Sequence, residues 1–243
     1  MLPLNSFLPF ISCIVSFVFA FFVFKRYLVR KGLYLLLWAI GMVFYGVGGF
    51  CEAAYAVTGW HPLIFRLWYL FGAILVAAWL GQGTVYLLAG RRLAHALMIL
   101  LGLASLFATV QVFRAQLDPT QMISSLHTGS ELSGQAIVSP GVRVLTPFFN
   151  LYGTLALVGG AIWSSVTFWR KRILLHRAIG NVFIAVGAIL PAFGGTFSLL
   201  GIPGALYWSE LLGAVLMFIG FVRATTPMLA GQKAEILAKP QVV

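Results

Sequence analysis

Long apolar runs separated by short polar gaps dominate the chain. Seven of them, at roughly 4–24, 33–57, 64–88, 94–113, 147–169, 178–200 and 206–223, reach the ~20 mostly apolar residues that a spanning helix needs. The pattern predicts an all-α integral membrane fold of seven transmembrane helices over residues 1–224, with a long polar connection at 114–146 and a short tail at 225–243. The gaps alternate in charge. Lys25, Arg26, Arg30 and Lys31 follow the first run, Arg91 and Arg92 the third, and Arg170, Lys171, Arg172 and Arg177 the fifth. Together with Arg223, Lys233 and Lys239, one side collects 13 of the 16 basic residues, and the other keeps Arg66, Arg114 and Arg143. By the positive-inside rule the N-terminus is expected outside and the C-terminus in the cytoplasm. The first run has no basic stretch before it and no small-residue cleavage site before Lys25, so it is expected to stay attached.

Composition agrees with this pattern: 61% of residues are hydrophobic, 9% are charged and the mean hydropathy is +0.99. A water-facing surface takes about 25% charged residues, so the chain belongs in a lipid bilayer. A net charge of +11 would suggest nucleic acid in a soluble protein. Here the basic residues sit between spans and read as topology signals, so no nucleic-acid partner is expected. Known chemistries are poorly served. His61 and His127 fall on the outer side, and His95 and His176 near the cytoplasmic boundary, so no three can meet around one zinc. No Gly-x-Ser-x-Gly elbow, Walker loop or pair of carboxylates within one span occurs, and the last span lacks the Lys that a retinal Schiff base needs. With a tail too short for a domain, no enzymatic activity is expected, and the sequence leaves any cofactor unknown. Cys13 and Cys51 both fall inside helices, where a disulfide is not expected.

Ionisable groups inside spans cost about 2.5–3.5 kcal/mol mid-helix on insertion scales and mark functional candidates. Three qualify: Glu52, Arg66 and Glu210. At a helical rise of 1.5 Å per residue, Glu52 falls about 8 Å and Arg66 about 5 Å inside the outer boundary, with Glu210 at similar depth. Glu52 and Arg66 are expected to pair. Tyr45, Gly48, Glu52 and Tyr55 share one face of the second helix, and Arg66 and Tyr69 one face of the third. The candidate ligand site is therefore an outward cleft lined by Glu52, Arg66, Glu210, Tyr45, Tyr55 and Tyr69. The competing reading is a structural salt bridge, or charges snorkelling to the interface. Gln82 and Asn150 read as bridges between helices, and the glycines at 180, 187, 194 and 201 as a packing face beside Pro191, a potential kink. The connection at 114–146 is polar enough for disorder, and long enough for a lid.

Residues 39–48 and 178–187 match at seven of ten positions without a gap, and Gly72-Ala73 has a counterpart in Gly213-Ala214. The match predicts two parallel three-helix repeats joined by the fourth helix. Sugar-exporting and PQ-loop families share that 3+1+3 plan, but no Pro-Gln pair occurs here inside a helix. In contrast, Trp38-Ala-Ile-Gly, Tyr45-Gly, Glu52, the run Phe65-Arg-Leu-Trp-Tyr-Leu-Phe-Gly-Ala73 and Trp79-Leu80 resemble the seven-helix region at the N-terminus of many bacterial sensor histidine kinases and cyclases. The resemblance implies a sensory or ligand-binding module of the bacterial cell membrane. The tail at 225–243 is expected to hold no output domain of that family, so a separate cytoplasmic signalling protein or the subunits of a membrane complex are the implied partners. Two alternatives remain: a small-solute carrier built on the repeat and, on aromatic richness alone, a pigment- or quinone-associated scaffold.

Overall fold

A computed structural model describes residues 7–123, 132–171, 175–200, 202 and 204–226. Among them, seven helices are long and apolar enough to cross a membrane. They are α1 (Leu8–Arg30), α2 (Leu33–Thr58), α3 (Pro62–Leu88), α4 (Arg91–Arg114), α5 (Val142–Arg170), α6 (Leu175–Leu199) and α7 (Ala205–Thr225). They coincide with the seven apolar runs, and the chain is a multi-pass membrane protein. The described residues form no strand beyond a single bridge of Leu117 with Ile137. In hydrocarbon no water satisfies a backbone N–H or C=O, so helices that bond internally are the stable choice. Their ends follow local chemistry. Lys31, at φ +54°, ends α1 in the left-handed region. At the next turn Gly59, at φ +76°, ends α2, and His61 Nδ1 accepts the amide of Leu63 ahead of α3.

Short turns make consecutive helices antiparallel. The bundle thus has a basic end, with Arg30, Lys31, Arg91, Arg92, Arg170 and Lys171, and a loop end crossed by the α4–α5 connection. Six helices form a ring in the order α1, α2, α3, α5, α6, α7, with α7 returning onto α1, while α4 lies outside against α3 and touches α5 only slightly. The ring has an apolar centre. Phe19, Met42, Leu80, Leu157, Ile184 and Phe221, one from each helix, surround a void of about 30 Å³.

The closest helix crossings are made by glycine, because in lipid no hydrophobic gain draws helices together and backbone approach must supply the packing. A Cβ on Gly48 would lie 3.0 Å from Gly72 Cα, which brings α2 onto α3. A Cβ on Gly187 would lie 2.7 Å from the Gly213 carbonyl, which brings α6 onto α7, and Gly180 meets Gly220 and Ala224 in the same way. Gly194 also lies on α7, so the glycine face of α6 packs as expected over its described length; Gly201 falls outside the described residues.

At the α3–α5 crossing a Cβ on Gly153 would come within 2.5 Å of the Ala78 amide nitrogen, whereas one on Gly159 of the same helix would meet nothing within 4 Å. Gly153→Ala should therefore destabilise the bundle by about 1–3 kcal/mol through overpacking, and Gly159→Ala should leave it unchanged. Unfolding titrations of the two variants in mixed micelles measure the difference, and equal midpoints would contradict the crossing.

Candidate functional site

The site grows out of an irregularity in α3. Over Trp68–Leu75 this helix is π-helical, a wide turn that is rare and concentrated at functional positions. The stretch begins with the indole of Trp68, which donates from Nε1 to Glu52 Oε1 at 2.8 Å. Glu52 is 1% exposed and Trp68 7%, so a carboxylate and its donor are sealed between α2 and α3. Farther along, Ala73 offers its carbonyl to Asn150 Nδ2 of α5 at 3.1 Å. A wide turn presents carbonyls off the helix axis, and here one of them is taken up by a neighbouring helix.

Tyr45 extends the site to α7. Its hydroxyl donates to the main-chain carbonyl of Glu210 at 2.8 Å, and the carboxylates of Glu210 and Glu52 both stand within electrostatic reach of the phenol. Tyr45 thus ties α2, the helix that carries Glu52, to Glu210 on α7, distant in sequence. Tyr45 is two turns from Glu52 along α2, about 10 Å of rise, so the contact with Glu210 draws the site toward the middle of the bundle. Tyr55, half-buried on the same face, packs against the apolar cluster that includes Cys51, Phe65 and Trp68. The predicted face of α2 is therefore real, and it looks onto α3 and α7.

Arg66 does not join this group. Its Nη2 donates to the Ala115 carbonyl just beyond α4, at 3.0 Å, where the negative end of the α4 dipole favours a cation. The expected Glu52–Arg66 pair is thus replaced by two separate contacts. The reason is helical geometry: residues two apart face opposite ways, so with Trp68 turned onto Glu52, Arg66 points outward to α4. Tyr69 follows Arg66, one turn on, to the loop end of the bundle. Its hydroxyl accepts a hydrogen bond from Thr146 at 2.9 Å, and its ring lies under Gly134 of the α4–α5 connection.

That connection is folded over its described length. Asp118 N and Val138 N donate to the carbonyls of Ala136 and Gln116, while Leu132, Ala136 and Ile137 are buried against the cluster that holds Phe65, Trp68 and Tyr69. Hydrogen bonds from the Thr120 hydroxyl and amide and from Gln121 hold the Asp118 carboxyl below its usual range. The described segments of the connection form a cap over α3, in place of a disordered segment; His127 and the other residues at 124–131 lie outside the described residues. Gln82 and Asn150 bridge helices as expected. Gln82 Nε2 donates to the Ala94 carbonyl of α4 and its Oε1 accepts from Tyr152 of α5. Cys13 and Cys51 are free and buried.

The contribution of Trp68 was not foreseen from the sequence. Its place two residues from Arg66, hence on the opposite, inward face, was the available signal. A groove of about 370 Å³ between α1 and α2, lined by Phe17, Phe21, Phe24 and Ile40 among others, carries almost no polar surface and offers a polar solute nothing to bind. No family model, curated protein or solved structure matches the chain.

The geometry reassigns the energetic partner of Glu52. A double-mutant cycle of Glu52→Gln with Trp68→Phe should show a coupling of about 0.5–3 kcal/mol, and the corresponding cycle with Arg66→Gln should be additive to within about 0.5 kcal/mol. Coupling to Arg66 of the same size as to Trp68 would return the site to the ion pair.

Proposed function

We propose that this chain is a sensory or ligand-binding seven-helix module of the cell membrane, with its receptive site at Glu52, Trp68, Tyr45 and Glu210. The observation that carries the reading is the sealed carboxylate of Glu52 held by Trp68 at the first residue of a π-helical stretch. A carboxylate kept inside a membrane protein is a functional group by default, and a π stretch in a helix gives a second register to which that helix can relax. Ligand or proton arrival at Glu52 weakens its bond to Trp68 and biases α3 between the two registers. Because α3 continues to the basic end, where Gln82 holds α4 and α5, the change reaches the side on which a separate signalling protein or membrane-complex subunit would read it. The resemblance to the sensory region of bacterial histidine kinases supports the same reading. The chain acts as a binding module and performs no reaction.

In this reading the loop end lies outside, as the positive-inside rule favours. With the native thiols buried, single cysteines can test this in whole cells. Val138→Cys, exposed at the loop end, should react with an impermeant maleimide, and Lys171→Cys, exposed at the basic end, should react only after permeabilisation. The reverse pattern would invert the bundle.

A carrier with parallel three-helix repeats is the second reading, and one observation favours it. The crossing Gly48–Gly72 has its counterpart in Gly187–Gly213, at the positions the sequence match pairs, and rotation about the bundle axis by half a turn exchanges the neighbours around the ring. Against it, the middle of the ring is filled by large apolar side chains, and the acidic residues of the site gather toward one end. The two readings separate in one experiment on the full chain in nanodiscs and proteoliposomes. For a sensor, Glu52→Gln should change amide exchange at the basic end of α3, residues 85–89, by about fivefold or more, with no solute flux in either form. Unchanged exchange at 85–89 would end the sensory reading, and flux of a small polar solute abolished by the same substitution would establish the carrier.

A further inference from the structure

At the basic end, cationic side chains from separate helices gather at one place. Arg26 of α1, half-buried, donates from Nη2 to the Thr225 carbonyl at the end of α7, at 2.7 Å. Arg30 lies one turn along α1 from Arg26, and Arg177, in the opening turn of α6, lies one turn before Gly180, which packs on Ala224 beside Thr225; the charges of both, and the phenol of Tyr34 at the start of α2, act on Arg26. Arg177 Nε is buried without a hydrogen-bond partner, and so is Nε2 of the adjacent His176. Of the acidic residues, Glu52 and Glu210 lie in the α2–α3–α7 site and Asp118 in the cap at the loop end, while Glu131 and Glu235 fall outside the described residues. No described carboxylate therefore stands at this end to balance the arginines.

Three guanidinium groups act on one another here, and one of them, that of Arg177, carries a buried Nε without an acceptor. Like charges so gathered repel one another, and a buried N–H without an acceptor is costly. A tetrahedral oxyanion answers both needs, because its oxygens accept the planar forks of arginine in charge-assisted hydrogen bonds. The local backbone adds to this. Helix α2 starts at the same end without a side-chain cap, and its positive dipole end favours an anion nearby.

We propose that Arg26, Arg30 and Arg177 form an anion site at the basic end of the bundle that takes a phosphate group, whether on the headgroup of an anionic phospholipid or in a soluble phosphate. The site is independent of the sensory reading. Its phosphate neutralises the cluster, accepts from Arg177 Nε and ties α1 to α6 and α7 at the membrane surface.

The full chain in nanodiscs tests it, with the thermal midpoint and native mass spectrometry as readouts. In phosphatidylcholine discs, inorganic phosphate should raise the midpoint saturably beyond chloride at matched ionic strength. If the source is lipid, adding phosphatidylglycerol to the discs should raise the midpoint in its place, leave a phosphatidylglycerol molecule bound in the gas phase and make free phosphate ineffective; if the source is soluble, phosphate should act in both kinds of disc. Arg177→Gln should weaken the response about tenfold or more, equivalent to about 1.4 kcal/mol. Arg177→Lys should retain part of it, and Arg92→Gln, on α4 at the same end, all of it. Arg30→Gln, at an exposed position, supplies the same comparison should Arg177→Gln fail to fold. No response beyond chloride in phosphatidylcholine discs together with none to phosphatidylglycerol, or a response lost equally in Arg92→Gln, would overturn the proposal.

Discussion

Helices already in a bilayer gain nothing hydrophobic by leaving lipid for one another, so their association rests on close backbone approach and on polar groups that find partners. This constraint shapes the whole bundle. Where glycine meets glycine or a carbonyl, as at Gly48–Gly72, Gly153–Ala77 and Gly187–Gly213, the helices are in backbone contact. Where glycine is sparse, side-chain hydrogen bonds take over. Helix α4, outside the ring, is held at three depths by Arg66 to Ala115, Trp79 to Ser105 and Gln82 to Ala94. One face of small and apolar side chains, including Leu101, Ala104 and Ala108, completes its packing.

The π stretch of α3 is where these two modes meet. Gly72 within it gives the closest approach to α2, and Trp68 at its head gives the polar bond to the same helix. A regular α-helix turns 100° per residue, and the wider π turn departs from that spacing, so Trp68 can serve Glu52 while Ala73 serves Asn150. Glu52 thus has an indole where an arginine was expected. The two donors differ in chemistry: the indole offers one neutral N–H and no charge, where a guanidinium would offer a full positive charge.

Much of the fold was legible because lipid imposes it. A run of apolar residues long enough to span needs no periodicity to be recognised, and the alternation of basic gaps orders the ends. The shared face of Tyr45, Gly48, Glu52 and Tyr55 was equally legible, since helical spacing alone decides it, and so was the bridging role of Gln82 and Asn150. The partner of Glu52 was not. Matching depth and opposite charge favour Arg66, but which way a side chain points depends on the rotation of α3, which an internal π stretch alters without any mark in composition. The cap was legible only as length: Leu132, Ala136 and Ile137 are unremarkable apolar residues in a polar segment until Phe65 and Tyr69 are placed beneath them.

Gln82 also carries a timetable. Its amide donates to Ala94, twelve residues on, and its carbonyl accepts from Tyr152, seventy residues on. During synthesis the first partner emerges with the α3–α4 hairpin, long before the second exists. If the two bonds form in chain order, α4 orients the side chain before α5 is made, with the acceptor oxygen toward the gap that α5 enters. The outermost helix of the finished bundle would then set the height at which the second half of the chain docks.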